Sequence, residues 1–90
     1  MSSKRDLKRM INYVCSDLFA ECVAASLYSG KPEKEDSDAL LSSIVALHSQ
    51  YIRRISHVEP GLKPRDYFKD LVARFNNEVS EIVDQISNMN

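Results

Sequence analysis

The feature that most constrains this chain is a run of apolar residues between positions 10 and 28, where fourteen of nineteen side chains are apolar. Neither glycine nor proline interrupts the run, so an α-helix is the expected structure. With about 100° between successive residues, its apolar positions spread over an arc of roughly 200°. A helix that covers one core needs a stripe of about 100° or somewhat more. The surplus predicts that this helix contacts a second partner.

Two acidic residues, Asp17 and Glu21, lie inside the apolar run. A carboxylate at the centre of a bilayer costs about 3 kcal/mol on insertion scales, so we interpret the run as part of the fold and not as a membrane span. The same two residues interrupt what would be the apolar core of a signal peptide. The N-terminal segment is therefore assigned to the folded domain.

Composition and cysteine spacing point to a small helical domain. The 90 residues contain two Gly, three Pro and no Trp, and they predict a single domain over residues 1–90. Cys15 and Cys22 lie seven positions apart on one predicted helix, which separates their Cα atoms by roughly 10 Å. A disulfide reaches about 7 Å at most, so two free thiols and a cytoplasmic location are expected.

Three predicted helices cover most of the chain, over about residues 4–29, 37–57 and 64–87. Helices of this length with short connections predict an all-α fold, an up-down-up antiparallel three-helix bundle. The predicted helix ends and turns rest on capping and turn residues. These are Ser3, Gly30, Ser37 or Asp36, Gly61 and Pro64.

The helices differ in the width of their apolar faces. Helix 3 carries a stripe of only about 120°, whereas helices 1 and 2 are apolar over wider arcs. The surplus predicts a homodimer with helices 1 and 2 at the interface. The residues expected there are Met10, Val14, Leu18, Phe19, Cys22, Val23, Val45 and Ile52.

His48 falls near the centre of the apolar arc of helix 2, where an imidazole needs a hydrogen-bond partner. Counting from the first loop places it at about the level of Leu18. The sequence therefore predicts a buried polar cluster of Cys15, Glu21 and His48. We favour a core histidine bonded to Glu21, a tyrosine or a backbone carbonyl. The alternative is a catalytic histidine paired with Cys15 or Cys22, which is disfavoured because buried cysteines are usually inert.

No recognised catalytic, metal-binding or phosphate-loop motif occurs in the sequence. There is no Cys-x-x-Cys, His-Glu-x-x-His or Glu-x-x-His spacing, and no nucleophile elbow. Asp17 and Glu21 form an acidic pair four residues apart, which we expect to be solvated. The expected protein is not an enzyme, and it has no metal, cofactor or identifiable small-molecule substrate.

Charge is unevenly distributed along the predicted bundle. The start of helix 1, the end of helix 2 and the start of helix 3 share one end, which we call the basic pole. It holds nine basic and four acidic residues: Lys4, Arg5, Lys8, Arg9, Arg53, Arg54, Lys63, Arg65 and Lys69, with Asp6, Glu59, Asp66 and Asp70. The rest of the chain holds Lys31, Lys34 and Arg74 against nine acidic residues, and the net charge of the whole is −1.

A solvated charged end is the favoured interpretation of the basic pole. The alternative is binding of an anion, a nucleic-acid backbone or an acidic partner. The residues expected to bind an anion are Arg9, Arg53, Arg54, His57, Lys63 and Arg65, with Lys4 and Arg5 contributing charge. Nucleic acid is disfavoured because aromatic residues are not interleaved with the basic ones and the chain is not basic overall.

Residues 55–61 (ISHVEPG) and 79–86 (VSEIVDQI) resemble segments of small all-helical proteins of anaerobic Bacteroidetes-type bacteria. The resemblance implies a helical fold over most of the chain and no particular activity. The sequence as a whole predicts a non-catalytic interaction or structural module that acts as a homodimer. Anion or nucleic-acid binding by the basic pole is the alternative.

Overall fold

The computed structural model describes residues 4–29, 34–58, 61 and 63–88. It has three helices, α1 (Lys4–Ser29), α2 (Lys34–Ser56) and α3 (Pro64–Ser87), and the described part of the chain contains no strand. Successive helices run in opposite directions. The predicted all-α, up-down-up three-helix bundle is confirmed.

The start of α2 differs from the prediction. The helix begins at Lys34, three residues before the predicted start at position 37, so Asp36 and Ser37 are helical residues and not N-caps. Lysine and glutamate are good helix formers, and acidic side chains near a helix N-terminus are stabilised by its dipole, so the helix extends through this charged segment. The Ser37 hydroxyl is buried and has no hydrogen-bond partner among the described residues. The predicted Ser3 cap and Gly30 stop lie outside the described residues.

The turn between α2 and α3 follows the sequence prediction. Gly61 has φ of 87°, a conformation that glycine adopts without a steric cost. Lys63 is the extended N-cap of α3, and Pro64 occupies the first turn, where its missing N–H is not needed. α2 ends at Ser56, one residue before its predicted end, and the His57 N–H still donates to the Arg53 carbonyl oxygen at 3.0 Å.

All three helices contribute to a continuous apolar core. Tyr51 and Phe75 are its largest fully buried side chains, and their rings meet edge to face with centroids 5.2 Å apart. The other buried apolar residues are Leu7, Ile11, Cys15, Leu18, Cys22, Leu40, Ile44, Leu47, Ile55, Leu71, Ile82 and Ile86.

Three side-chain hydrogen bonds between helices show which turns of neighbouring helices lie side by side. The side chains of Asn12 on α1 and His48 on α2 are hydrogen-bonded. The Tyr51 hydroxyl donates to the Glu78 carboxylate on α3. Near the end of α2, the Tyr67 hydroxyl donates to the Arg54 carbonyl oxygen at 3.1 Å. The first half of α3 therefore lies beside the last turns of α2.

By length and composition alone, α1 could also cross a membrane, although the core helix of a soluble protein or a signal sequence has the same character. In the bundle, α1 buries Ile11 and Cys22 completely against the other helices. Asp17 and Glu21 lie in the middle of the helix, where insertion into lipid would cost about 3 kcal/mol for each carboxylate.

We expect the purified chain to remain at the bottom of a density gradient when it is floated with neutral liposomes, because the two carboxylates disfavour insertion of α1. The measurement is the fraction of protein in the lipid layer, compared with a gradient that contains no liposomes. Flotation with the lipid, together with protection of α1 from protease, would show that α1 inserts instead.

Candidate functional site

A shallow apolar groove of about 340 Å³ lies between α1 and α2. Phe19 is 41% exposed and Val45 is 55% exposed at its rim, whereas Cys15 and Ile44 are buried. No residue of α3 lines this groove. We call its lining the outer face: Cys15, Ser16, Phe19, Ile44, Val45 and His48.

Charged side chains are absent from the centre of the outer face. Residues 39–52 of α2 include no Asp, Glu, Lys or Arg, although 28% of the whole chain is charged. On α1, Asp17 and Glu21 lie about 160° from Phe19 around the helix axis. Ser16, a small side chain, also lines the groove and is exposed on α1. The surface is therefore apolar, uncharged and open to close approach.

The eight predicted interface residues fall into three groups: residues of the intrachain core, partly buried residues on another side of α1, and residues on or beside the outer face. Leu18 and Cys22 are 2% and 0% exposed in the intrachain core, so the prediction that they contact a partner is wrong. Met10 and Val14 are partly buried against the core, and they lie about 140–180° from Phe19 around α1, so they do not share its surface. Four predicted residues lie on or beside the outer face: Phe19, Val23, Val45 and Ile52.

The predicted polar cluster is only partly present. Cys15 and His48 line the same groove, but Glu21 is exposed on another side of α1, so its inclusion is wrong. His48 is half-buried and bonds to Asn12, which the sequence interpretation missed. α2 begins three residues earlier than predicted, which moves the level of His48 on α1 by about three residues, from Leu18 to Cys15, and so explains part of the error.

Burial raises the pKa of both the Cys15 and the Cys22 thiol. A nucleophilic cysteine needs a depressed pKa, because the thiolate is the reactive form. Cys15, His48 and Asn12 are the residue types that some cysteine hydrolases combine. Here the thiol is 4% exposed and its pKa shifts in the unfavourable direction, so the arrangement disfavours nucleophilic chemistry. Among the described residues, no group of three His, Cys, Asp or Glu is placed to hold a metal.

A second groove, of about 650 Å³, lies between the end of α2 and the first half of α3. Of the six predicted anion-binding residues, Arg53, Arg54 and His57 line it, whereas Arg9, Lys63 and Arg65 do not. We call this lining the pole groove: Arg53, Arg54, His57, Asp66, Tyr67, Asp70, Leu71 and Arg74.

The sequence interpretation placed Arg74 away from the basic pole, and the structure corrects this. α3 runs antiparallel to α2, and its first three turns cover the end of α2, so Arg74 still lies within the pole groove. Its Nε atom is 2.9 Å from the Asp70 carboxylate, and both side chains are 64% exposed. The sequence did contain a signal for this position of Arg74. Asp70 belongs to the basic pole, and residues four apart meet on one helix face, so Arg74 lies beside Asp70.

Arg54 makes two contacts in the pole groove, one through its side chain and one through its backbone. Its guanidinium carbon lies 5.2 Å from the centroid of the Tyr51 ring, within the range of a cation–π contact. Its backbone carbonyl oxygen accepts the hydrogen bond from Tyr67. Burial raises the pKa of Tyr51 to about 12, assisted by the hydrogen bond and negative charge of Glu78 and opposed by the charges of Arg54 and Arg74.

Comparison of the chain with protein-family models, curated proteins and solved structures finds no match. The resemblance of residues 55–61 and 79–86 to the Bacteroidetes-type proteins therefore stays a prediction. The two grooves are the basis for a functional proposal.

The Tyr51 hydroxyl is expected to lose its proton near pH 12 in the folded chain and near pH 10 in the unfolded chain. Its contribution to stability is then full below about pH 10 and is lost as the pH rises from about 10 to 12, because the unfolded state releases the proton first. An ultraviolet titration of tyrosinate should show a late step that Tyr51→Phe removes.

Glu78→Gln should move the late step to lower pH, because it removes the negative charge beside the hydroxyl. Glu81→Gln, an exposed change on the same helix, is the control and should leave the step in place. A late step that survives Tyr51→Phe would contradict this assignment.

Proposed function

We propose that this protein is a non-catalytic interaction module that associates with a second copy of itself through the outer face. The observation that carries the proposal is the exposure of Phe19 and Val45 on a surface without charged side chains. Apolar area buried at an interface contributes roughly 25 cal/mol per Å². A partner that covers these two side chains therefore removes apolar surface from water without burying a charged group.

The dimensions of the bundle suit a self-associating interface. The molecule is 48 Å long and 19 Å wide. One face of this size offers about 900 Å² at most, close to the roughly 800 Å² per partner of a standard protein interface.

Charge complementarity favours a second copy as the partner. Arg5 and Arg9 are exposed on the Phe19 side of α1 near one end of the molecule, and Asp38 is exposed on the Val45 side of α2 toward the other end. A twofold axis across the helices near Val45 brings the basic end of each copy to the acidic end of the other. A parallel arrangement would set arginine against arginine. The charges are thus self-complementary in an antiparallel, isologous dimer.

Phe19→Glu and Val45→Glu are each expected to dissociate the dimer, because either variant places an unpaired carboxylate in an apolar interface. The dimer dissociation constant should rise at least about tenfold, equivalent to about 1.4 kcal/mol. Sedimentation equilibrium gives the mass, and circular dichroism shows whether the helices persist. Val83→Glu is the matched control, since Val83 is 39% exposed on α3, away from the outer face.

The proposal fails if the wild-type chain is monomeric at millimolar concentration. It fails equally if Val45→Glu keeps both its helicity and its dimeric mass. If Val83→Glu is monomeric and Val45→Glu remains dimeric, the dimer interface lies on α3 and not on the outer face.

The antiparallel arrangement makes a separate prediction about charge. Arg9→Glu and Asp38→Lys should each weaken the dimer several-fold, because each places like charges across the interface. A chain that carries both changes should recover most of the wild-type affinity, since Glu at position 9 then meets Lys at position 38 of the other copy. In a parallel dimer, position 9 of one copy lies opposite position 9 of the other, and position 38 lies opposite position 38. The double variant would then not recover the wild-type affinity. Dissociation constants at low salt distinguish the two arrangements.

A further inference from the structure

We infer that the pole groove binds a small phosphate monoester whose carbon skeleton carries hydroxyl groups. The groove volume of about 650 Å³ lies within the range of small-molecule sites. It brings Arg53, Arg54 and His57 from the end of α2 together with Arg74 from α3. None of these residues belongs to the outer face, so the inference does not depend on the proposed dimer.

The charges of the pole groove leave two arginines available for an anion. Arg74 is already paired with Asp70. Within the described part of the chain, Arg53 and Arg54 have no ion-pair partner. Asp66 lies in the first turn of α3, where the helix dipole stabilises its charge. With His57 neutral, the lining carries a formal charge of +1, contributed by three arginines and two aspartates.

Arg54 is positioned before any ligand binds. Its side chain is half-buried over the Tyr51 ring, and Tyr67 holds its carbonyl oxygen. Tyr51 is itself fixed by Phe75 and Glu78. A guanidinium group binds phosphate oxygens through two parallel hydrogen bonds, and a side chain already held in place loses less entropy when it does so. Arg54 is therefore the expected anchor, with Arg53 one position away as the second donor.

The aspartates determine which kind of phosphate fits. Asp66 and Asp70 line the groove together with the arginines. Because Arg74 neutralises Asp70, the charge that would repel the neighbouring phosphates of a nucleic-acid chain is that of Asp66. Both carboxylates accept hydrogen bonds from hydroxyl groups. A single phosphate on a hydroxylated small molecule satisfies both the arginines and the aspartates. A polyanion satisfies only the arginines.

The test is a calorimetric and NMR titration of the full chain with glycerol 3-phosphate, inorganic phosphate and a short single-stranded oligonucleotide at low salt. We expect saturable binding of glycerol 3-phosphate, with amide shifts centred on Arg54 and Tyr67. Arg53→Gln and Arg54→Gln should each weaken it about tenfold, which corresponds to losing one bidentate contact. Arg53 is exposed, so its variant tests the site without altering the core.

Arg65→Gln is the matched control, because it removes the same charge from the basic pole but lies outside the groove. In a repeat of the titration at physiological ionic strength, its affinity for glycerol 3-phosphate should stay within about twofold of wild type, since attraction over more than about 8 Å is then screened. Glycerol 3-phosphate should bind more tightly than inorganic phosphate, and Asp66→Asn should reduce that difference.

Four results would overturn the inference. The first is no saturable binding of glycerol 3-phosphate at millimolar concentration. The second is an equal loss of affinity for glycerol 3-phosphate in Arg65→Gln and Arg53→Gln, which would indicate diffuse attraction to the basic pole. The third is equal affinity for inorganic phosphate and glycerol 3-phosphate. The fourth is tighter binding of the oligonucleotide with a steep dependence on salt, which would assign the groove to a nucleic-acid backbone.

Discussion

The position of the Tyr51 hydroxyl constrains the rest of the structure. The ring is buried against Phe75, and its hydroxyl can be satisfied only where a partner reaches it, which is at Glu78. A buried hydroxyl without a partner would cost about 1–3 kcal/mol. This requirement fixes the level of α3 against α2. The same ring supports the Arg54 guanidinium, so the core contact that aligns the helices also shapes the pole groove.

Much of the fold could be predicted because it depends on local rules. The spacing of apolar residues gave the three helices, and Gly61 and Pro64 marked the turn before α3. The start of α2 could not be predicted in the same way. Residues 34–36 are charged, and such a segment is compatible with either a loop or a first helical turn, so its sequence does not choose between them.

The sites were predicted less well because they depend on the levels of the helices. Periodicity tells which face of a helix is buried but not how far one helix slides along another, and one turn is about 5.4 Å. His48 was therefore matched with Glu21, whereas its partner is Asn12. Arg74 was placed away from the basic pole for the same reason. Residues next to one another on one helix, such as Arg53 and Arg54, were placed correctly because no interhelical level was involved.

The two proposed sites are physically linked through charge. An antiparallel dimer brings the acidic end of one copy toward the basic pole of the other, which lowers the positive potential around each pole groove. An anion in the groove would in turn weaken the attraction between the poles, since coupling between two binding events is reciprocal. The outer face and the pole groove have no lining residue in common, so this coupling acts through the field alone. At physiological salt, fields are screened over about 8 Å, so the coupling is strongest at low ionic strength and fades as salt is added.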